Sequence, residues 1–555
     1  MINRLRARSL TAAVLALGVT GLCLAPVAAA RETAAPTSSA AKVRWKECPV
    51  YSDDVLDALG IPDEDRPGFR EMWGRTECGT ISVPLDYARP GGRHITVALT
   101  RLRAKDSGHR LGALSMNPGG PGGSGYLMPI ELSLRSPSAA ALNERYDLIG
   151  FDPRGVGYST SYDCPEGDGG SGVEPPVGRW TESGLKRFYD AQAERNAACS
   201  ASDPAFLTQL TTANAARDLD RIRGALGERR MNYFGVSWGT QLGAVYRSMF
   251  PAAVGRMWLD SVVSPRAYDL AYRFDGSARA TEAGFAPFAR WLAAHDGTYG
   301  LGDTEAEVRA GVTALREAAD AEAWRFSDVP LPLDGSFVSF LAAAPNLMWE
   351  DAGAILRALT TAVNGGPAPE AVKAVIGEPS QEPEPPAGTP ERNNSTAGLA
   401  YLCNEDTSSH EFEPLWREYQ DNLRANPVTG DLTALRPTCA GWALPVRTSV
   451  LRHGDGSLQM SGHRYESSTP YPWVGDMRRT IGGTVFTVGD YMHGSLPFVP
   501  ECAAHLAAYF ATGAPDGGSC AGLQPDSDAA LPTPALTGRE TRPAGTSRAA
   551  ELAWT

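Results

Sequence analysis

The segment GVSWG at residues 235–239 places a serine between two glycines, after an apolar run and before a helix-like stretch. A serine in a G-x-S-x-G turn from a strand to a helix exposes its hydroxyl in a cleft, where it can act as a nucleophile. Glycine and serine are also ordinary residues of tight connections. Ser237 is therefore a candidate nucleophile whose chemistry requires partners elsewhere in the chain.

A serine hydroxyl needs a base to accept its proton, and that base is usually a histidine held by a carboxylate. In enzymes with this serine turn, the acid and then the histidine follow the serine along the chain. His493 lies in GDYMHGSLPF, just past the strand-like GTVFTVG, so that a loop at a strand end can present it. The sequence therefore predicts His493 as the base. The other downstream histidines lie in segments less suited to that role: His295, His410, His453, His463 and His505.

Acyl transfer to serine also requires backbone N–H groups that bind the developing oxyanion. One of them comes from the residue after the nucleophile, which is Trp238. The glycine-rich loop NPGGPGGSG at residues 117–125 follows a strand-like segment and can supply the other. Because glycine lets the backbone approach a substrate closely, we expect Gly119 and Gly120 to line this oxyanion hole.

The same loop fits a dinucleotide-binding fingerprint. Residues 120–125 satisfy G-x-G-x-x-G after a strand, and Asp152 ends the next predicted strand. Against this reading, Pro129 would interrupt the helix that should bind the pyrophosphate. The chain is also expected to be exported, as argued below, away from nicotinamide pools, and a dinucleotide site would leave Ser237 and His493 unused. We therefore favour the serine nucleophile and expect neither a metal nor a cofactor.

Strand-like and helix-like segments alternate around these residues, which predicts a mostly parallel sheet with helices on both faces. A helix is predicted from Thr212 (TANAARDLDRIRGALG), with apolar residues on one face and a stop at Gly227. The predicted strands are RHITVALTRLRA from Arg93, GALSMN from Gly112, YDLIGFD from Tyr146, the run before Ser237, GRMWLD from Gly255, RTSVLR from Arg447 and GTVFTVG from Gly483.

The pattern of segments divides the chain into an α/β core with an insertion. Residues 42–264 and 441–523 are predicted to form the two parts of the core, and residues 265–440 an inserted helical cap. The passage GEPSQEPEPPAGTPERNNST within the cap is predicted to be an exposed loop. Residues 524–555, rich in Ala, Pro and Thr, are predicted to be a disordered tail.

The first thirty residues have the pattern of a secretory signal peptide. Three arginines precede an apolar run that ends in Ala28-Ala29-Ala30. No other apolar run approaches the ~18 residues of a membrane helix, so we expect no stable membrane span. Cys23 raises the alternative of a lipoprotein anchor, but the bulky Leu22 before it favours release. Residues 31–41 are predicted to be a flexible spacer or propeptide.

Charge and cysteine content fit an exported protein. Without the signal peptide the chain has 48 basic and 64 acidic side chains, a balance that disfavours nucleic acid as a partner.

Eight cysteines remain after removal of the signal peptide, none in a C-x-x-C pair, which favours disulfides over a zinc site. Their spacing suggests pairing of neighbours, although spacing alone leaves other connectivities open. The predicted pairs are Cys48–Cys78, Cys164–Cys199, Cys403–Cys439 and Cys502–Cys520. We expect a monomer.

Several segments in fixed order resemble the secreted tripeptidyl aminopeptidase branch of the α/β-hydrolase superfamily, which is related to the prolyl aminopeptidases. These segments are NPGGPGGSG, YDLIGFDPRGVGYS, TTANAARDLDRIRGALG, NYFGVSWGTQLGAVYRSMFP, CAGW, STPYPW and the His493 loop. The resemblance covers most of residues 42–520 and is weakest in the insertion. It implies an eight-stranded α/β-hydrolase core, a helical cap, and removal of short peptides from free N-termini. The nucleophile and histidine of the family match Ser237 and His493.

The acid of the family lies in a glycine…Asp-Pro-x-Thr-Pro segment, from which this chain departs. It reads GHRYESSTP at residues 462–470, with Glu466 at the position of the acid and one extra residue before it. The extra methylene shifts the carboxylate by about 1 Å, on ordinary bond lengths. Asp455, Asp476 and Asp490 are alternative acids. The cap segment FARWLAAHDGTYGLG also lacks a cysteine expected in relatives, and both departures bear on substrate range.

These observations and the resemblance favour a secreted serine exopeptidase that releases short peptides, chiefly tripeptides, or single residues from free N-termini through an acyl-enzyme. A secreted serine esterase, or another acyl hydrolase with the same catalytic residues, is the alternative enzyme. A non-catalytic binding protein is the alternative of another class, since fold does not determine function. An exopeptidase must bind the terminal ammonium with carboxylates, for which Glu405 and Asp406 in the insertion are the candidates. A solvated acidic turn is the competing interpretation of that pair.

Overall fold

The computed structural model describes residues 42–165, 173, 176–376, 385–432, 437–454 and 456–525. A ten-stranded sheet runs through the centre, in the order β1-β2-β3-β5-β4-β6-β7-β8-β9-β10. The strands are β1 Arg44–Lys46, β2 Thr76–Pro84, β3 His94–Leu102, β4 Gly112–Asn117, β5 Tyr146–Phe151, β6 Met231–Val236, β7 Val254–Asp260, β8 Leu458–His463, β9 Thr484–Val488 and β10 Ser519–Cys520. Strands β4 to β10 run parallel to one another, whereas β1, β2 and β3 are antiparallel to the strands beside them and form an antiparallel edge.

The sheet has ten strands in the described residues, where the resemblance implies eight. Strands β2 to β9 form the expected eight, and the two additional strands are short edge strands. β1 pairs with β2, and β10 pairs with β9. Disulfides lie beside both additions, since Cys48 is bonded to Cys78 of β2 and Cys520 of β10 to Cys502.

Helices of the core cover both faces of the sheet. Alternate strand residues belong to different hydrophobic clusters, so that Tyr233 packs with α8 and α9 whereas Phe234 packs with α3 and α19. The core helices are α1 Asp53–Ala58, α2 Arg66–Arg75, α3 Met128–Arg135, α4 Pro137–Ala140, α5 Leu142–Arg145, α6 Glu182–Ser202, α7 Pro204–Leu207, α8 Thr212–Ala225, α9 Trp238–Met249, α18 Pro472–Ile481 and α19 Pro500–Thr512.

The insertion between β7 and β8 is helical and has a hydrophobic core of its own. Its helices are α10 Leu270–Ala294, α11 Asp296–Tyr299, α12 Glu305–Ala321, α13 Gly335–Ala342, α14 Trp349–Thr360, α15 Glu370–Ile376, α16 Ser395–Cys403 and α17 Phe412–Ala425. Phe285, Phe288, Val312 and Leu356 are among the buried residues that hold α10, α12 and α14 together. In contrast, α16 packs against the core, because Ala397, Ala400 and Tyr401 belong to the cluster under the sheet.

The prediction of a strand at RTSVLR, residues 447–452, is wrong. Residues 447–452 have no strand pairing, and Val450 is 72% exposed. β7 pairs instead with LQMSGH, residues 458–463, all of which are buried. RTSVLR has the better strand composition, but strand formation depends on a partner and on burial more than on intrinsic preference.

The described cysteines form the four predicted pairs, Cys48–Cys78, Cys164–Cys199, Cys403–Cys439 and Cys502–Cys520.

Within the described ranges, none of the helices has the length and apolarity needed to cross a membrane. The predicted signal peptide, with Cys23, and the spacer lie outside the described residues. So do residues 377–384 of the Pro/Glu-rich passage and the tail from residue 526.

Candidate active site

Ser237 occupies a sharp turn between β6 and α9. Its φ of 58° and ψ of −127° lie where a side chain is strained. Both flanking glycines are required by packing. A Cβ at Gly235 would lie 2.5 Å from the carbonyl oxygen of Gly239, and a Cβ at Gly239 would lie 2.6 Å from that of Asn117. The predicted serine turn is present, and it places Ser237 directly after the carboxyl end of β6.

The glycine-rich loop lies directly against this turn. Gly119 has a φ of 106°, and a Cβ there would lie 2.6 Å from the carbonyl oxygen of Val236 and 2.8 Å from Cβ of Ser237. The N–H of Gly119 donates to Oδ1 of Asn117 at 3.1 Å, so it is not available to an oxyanion. The candidate donors to the oxyanion are therefore the N–H groups of Gly120 and of Trp238, the first residue of α9.

The loop is not shaped for a dinucleotide. The cap covers it, because a Cβ at Gly122 would lie 2.6 Å from the carbonyl oxygen of Asn394. Asp152 is fully buried and accepts hydrogen bonds from Ser124 Oγ at 2.5 Å and from the N–H of Tyr158 at 2.8 Å. The expectation that Pro129 interrupts a helix is wrong, since it lies in the first turn of α3, where proline is tolerated.

His493 and Glu466 are in contact, although they follow different strands. Nδ1 of His493 is hydrogen-bonded to Oε1 of Glu466, and both side chains are buried. This contact leaves Nε2 of the imidazole as the nitrogen that can act on a hydroxyl. The loop of His493 also reaches the serine turn, because a Cβ at Gly494 would lie 2.8 Å from Cγ1 of Val236, the residue before Ser237.

Glu466 is held as a carboxylate by several donors. Its Oε1 accepts from the N–H of Thr469 at 2.9 Å and from the Thr469 hydroxyl at 2.5 Å, and its Oε2 accepts from Ser261 Oγ at 3.0 Å. Burial raises the pKa of Glu466, but the imidazole of His493 and these donors outweigh burial and hold that pKa below its usual value. Glu466 is therefore suited to orient His493.

The alternative acids have other partners. Asp490 accepts a hydrogen bond from Nδ1 of His463 at 2.6 Å and another from the N–H of Leu523 at 2.8 Å. Asp476 forms an ion pair with Arg479, and Asp455 lies outside the described residues. Of the candidate acids in the described part of the chain, Glu466 is the one in contact with His493.

A second buried histidine, which the sequence analysis did not assign to the site, lies next to this pair. His463 donates from Nε2 to Asp260 at 3.1 Å and from Nδ1 to Asp490 at 2.6 Å. Burial lowers the pKa of His463, but the two carboxylates overcome that effect and raise it well above its usual value. His463 is therefore a buried cation, three residues before Glu466. No spacing in the sequence indicated it, because its partners come from β7 and from the loop after β9.

Glu405 contacts helix α9, the nucleophile helix, which begins directly after the candidate nucleophile Ser237. Its carboxylate accepts hydrogen bonds from the N–H and the hydroxyl of Thr212, both at 2.7 Å, and from Gln241 Nε2 at 3.2 Å. Gln241 lies one turn after Ser237 on α9. Burial raises the pKa of Glu405 to about 8. No Lys, Arg or His side chain of the described chain forms an ion pair with it.

Asp406 points to a different set of partners. It accepts hydrogen bonds from the N–H of Leu270 at 3.1 Å, the N–H of Ser408 at 2.9 Å and Nε2 of His410 at 3.0 Å. Burial raises the pKa of Asp406, but these donors outweigh burial and lower it. Asp406 joins the start of α10 to the turn after α16, so Glu405 is the member of the pair that remains a ligand candidate.

A possible metal cluster is excluded by covalent chemistry. Among the described residues, side-chain atoms of Asp406, His410 and Cys439 lie within 4.8 Å of one another. The sulfur of Cys439 is bonded to Cys403, so it cannot serve as a thiolate ligand.

Comparisons with known proteins identify the family of this chain. Residues 112–309 match the alpha/beta hydrolase fold family. The tripeptidyl aminopeptidase of Streptomyces coelicolor is 33% identical over 485 residues, 82% of this chain and 85% of that protein. The serine protease Hip1 of Mycobacterium tuberculosis is 37% identical over 198 residues, 35% of this chain and 37% of Hip1. Carboxylesterase B of the same species is 35% identical over 237 residues, 40% of this chain and 41% of the esterase.

The fold, the serine turn and these relatives together make the chain a serine hydrolase with the α/β-hydrolase fold. The likeness to the Streptomyces enzyme covers 82% of this chain. The chain belongs to the tripeptidyl aminopeptidase family.

Proposed function

We propose that this protein is a secreted serine exopeptidase that releases short peptides, chiefly tripeptides, from free N-termini. The observation that carries the catalytic assignment is the hydrogen bond between Glu466 and His493 beside the strained Ser237 turn. The exopeptidase assignment draws on the tripeptidyl aminopeptidase of Streptomyces coelicolor. Export is supported by the signal-like N-terminus and by four disulfides, which are typical of oxidising compartments.

The proposed reaction passes through an acyl-enzyme. Nε2 of His493 accepts the hydroxyl proton of Ser237 while Oγ attacks the scissile carbonyl. The N–H groups of Trp238 and Gly120 stabilise the oxyanion, and Glu466 keeps the imidazole in the required tautomer. His493 then protonates the leaving amine, and a water molecule activated by the same histidine hydrolyses the ester.

An exopeptidase must limit how far a peptide chain enters the cleft, and helix α16 of the cap is suited to do so. It lies over the glycine-rich loop, with Gly398 N 3.1 Å from where a Cβ of Gly122 would lie. The ring of Tyr401 on the same helix packs 4.9 Å from that of Trp238. The cap thus closes the region beside the proposed oxyanion hole, and a closed end favours short N-terminal fragments over the interior of a polypeptide.

We propose Glu405 as the ligand of the substrate ammonium. It is a buried carboxylate linked through Gln241 to the nucleophile helix, and its raised pKa of about 8 reflects burial without a cation. A bound ammonium would supply that cation and keep the carboxylate ionised. N-acetylation of the substrate would remove the charge and leave Glu405 uncompensated.

The experiment compares a tripeptide anilide that has a free amine with its N-acetyl counterpart. We expect kcat/KM to fall at least a hundredfold on acetylation, and the difference to shrink in Glu405→Gln but not in the control Asp406→Asn. Equal rates on the two substrates would contradict the exopeptidase. Labelling by a fluorophosphonate, lost in Ser237→Ala, tests the nucleophile separately, and a binding protein would not be labelled.

Esterase activity is the second candidate, because carboxylesterase B of Mycobacterium tuberculosis is also a relative. A short-chain nitrophenyl ester distinguishes the two activities. An esterase would hydrolyse the ester efficiently and leave both anilides intact.

A further inference from the structure

Two non-glycine residues of the described chain have a positive φ, and they are Ser237 and Ser261. Ser261 follows β7 directly, has a φ of 51° and is fully buried. A positive φ is unfavourable for a residue with a Cβ, and such strain is concentrated at functional sites. The strain at Ser237 belongs to the nucleophile turn. The strain at Ser261 has no role in the mechanism described above.

The hydroxyl of Ser261 connects two parts of the catalytic site. It donates to Oε2 of Glu466 at 3.0 Å and accepts the N–H of Gly494 at 2.8 Å. Gly494 follows His493 directly. One hydroxyl thus joins the carboxylate to the backbone that carries the imidazole, while the other carboxylate oxygen contacts that imidazole.

The residue before Ser261 contacts the third part of the site. The carbonyl oxygen of Asp260 accepts the N–H of Ser237 at 3.2 Å, and the Asp260 carboxylate binds His463. The dipeptide Asp260-Ser261 therefore contacts the nucleophile, the acid and the loop of the base. The positive φ at Ser261 is what turns the chain so that the carbonyl of one residue and the hydroxyl of the next face these partners.

We propose that Ser261 is a positioning residue that fixes Glu466 and the His493 loop in their positions relative to Ser237. The proposal rests on the serine-hydrolase mechanism proposed above. Glutamate has one more rotatable bond than aspartate, so its carboxylate needs anchors on both oxygens. Thr469 anchors Oε1 and Ser261 anchors Oε2. Because the Ser261 hydroxyl also fixes Gly494, it sets the position of the acid relative to the base rather than the position of either one alone.

Two substitutions separate the hydroxyl from the strained backbone. Ser261→Ala removes the hydroxyl and keeps the strain, whereas Ser261→Gly removes both, because glycine adopts a positive φ readily. We expect Ser261→Gly to have a higher Tm than Ser261→Ala. We expect both variants to lose at least tenfold in kcat, with KM within twofold of that of the wild type, because the anchored groups act on the transition state.

The control is Ser200→Ala in α6, which removes another buried hydroxyl that donates to a backbone carbonyl, that of Ala197 at 3.1 Å. Its kcat should remain within twofold of that of the wild type. The proposal is overturned if Ser261→Gly retains the wild-type kcat, or if kcat follows Tm across the three variants, as a purely structural role would require.

Fluorophosphonate labelling distinguishes this failure from a failure of the proposed function. Wild-type protein that is not labelled at Ser237 would contradict the serine-hydrolase mechanism itself. Wild-type and Ser261→Gly proteins labelled at the same rate would contradict only the positioning role, because phosphonylation also needs a correctly placed base. Labelling that is at least tenfold slower in Ser261→Gly, with normal labelling of Ser200→Ala, supports the proposal.

Discussion

Glu466 and His493 lie 27 residues apart in the chain, and their side chains meet beneath the cap at the carboxyl edge of the sheet. Each follows a parallel strand, β8 for Glu466 and β9 for His493, and these strands pair directly with each other. Adjacent parallel strands bring their carboxyl ends to the same edge, where loops carry functional residues. The departure from the aspartate of the family therefore still leaves a carboxylate, that of Glu466, in contact with His493.

We expect Glu466→Gln to lower kcat by two or more orders of magnitude while the protein remains folded. The amide can donate to the imidazole and select the wrong tautomer, an effect that is about 10⁴-fold in a well-studied triad. Steady-state kinetics with circular dichroism test this expectation, and Asp476→Asn is the control, because this partly exposed carboxylate pairs with Arg479 instead of His493. If Glu466→Gln changed kcat only slightly while Asp490→Asn abolished activity, Glu466 would be wrongly assigned as the acid.

We expect Gly119→Ala to reduce both activity and stability. A Cβ at Gly119 would lie within 2.8 Å of two atoms of the serine turn, at a φ of 106°, so the loop must move away from Ser237. Gly224→Ala in α8 is the matched control, because its Cβ meets nothing within 4 Å. The control should be stabilised by up to about 1 kcal/mol. Wild-type kcat in Gly119→Ala would contradict the close packing of loop and turn.

The His463 cation should make stability depend on pH. A pKa that folding raises contributes stability that is complete below the unfolded value, about 6.5, and is lost as pH rises through the folded value. The folded value lies well above that of the unfolded chain, so the contribution declines above about pH 6.5. Urea unfolding of wild type and His463→Gln at pH 6 and pH 8.5 measures it. We expect the difference in unfolding free energy to be smaller at pH 8.5, and a difference that grows with pH would contradict the assignment.

The buried pair of Arg154 and Asp218 should be essential for stability. Two hydrogen bonds of 2.7 Å join the guanidinium to the carboxylate, and neither side chain is exposed by more than 1%. Asp218→Asn leaves a buried cation without its counter-ion, which costs about 3–5 kcal/mol. Asp476→Asn removes a partly exposed partner of the exposed Arg479 and should cost less than about 1 kcal/mol. Chemical denaturation measures both, and similar losses would contradict the argument from burial.

The sequence by itself determined the features that depend on neighbouring residues. The Ser237 turn, the glycine-rich loop and helix α8 each have a local signal, namely glycines where a Cβ would clash and a regular apolar spacing. Strands β3 to β7 and β9 followed from apolar runs bounded by turns. The spacing of the cysteines suggested pairs of neighbours 18 to 36 residues apart but left other connectivities open, and the structure has those pairs. The order of serine, acid and histidine along the chain also needs no structure.

The tertiary structure decided which distant groups meet. It placed β8 at LQMSGH rather than RTSVLR, because only the former found a partner strand and complete burial. In the folded protein the N–H of Gly119 donates to Asn117, and the carboxylate of Asp406 accepts from the N–H of Leu270. Both groups are therefore occupied by other parts of the protein. The tertiary structure also placed His463 between two carboxylates and Ser261 between Glu466 and the His493 loop. Such contacts have no signature in sequence spacing, because they join side chains from different strands whose relative position is set by packing of the whole sheet.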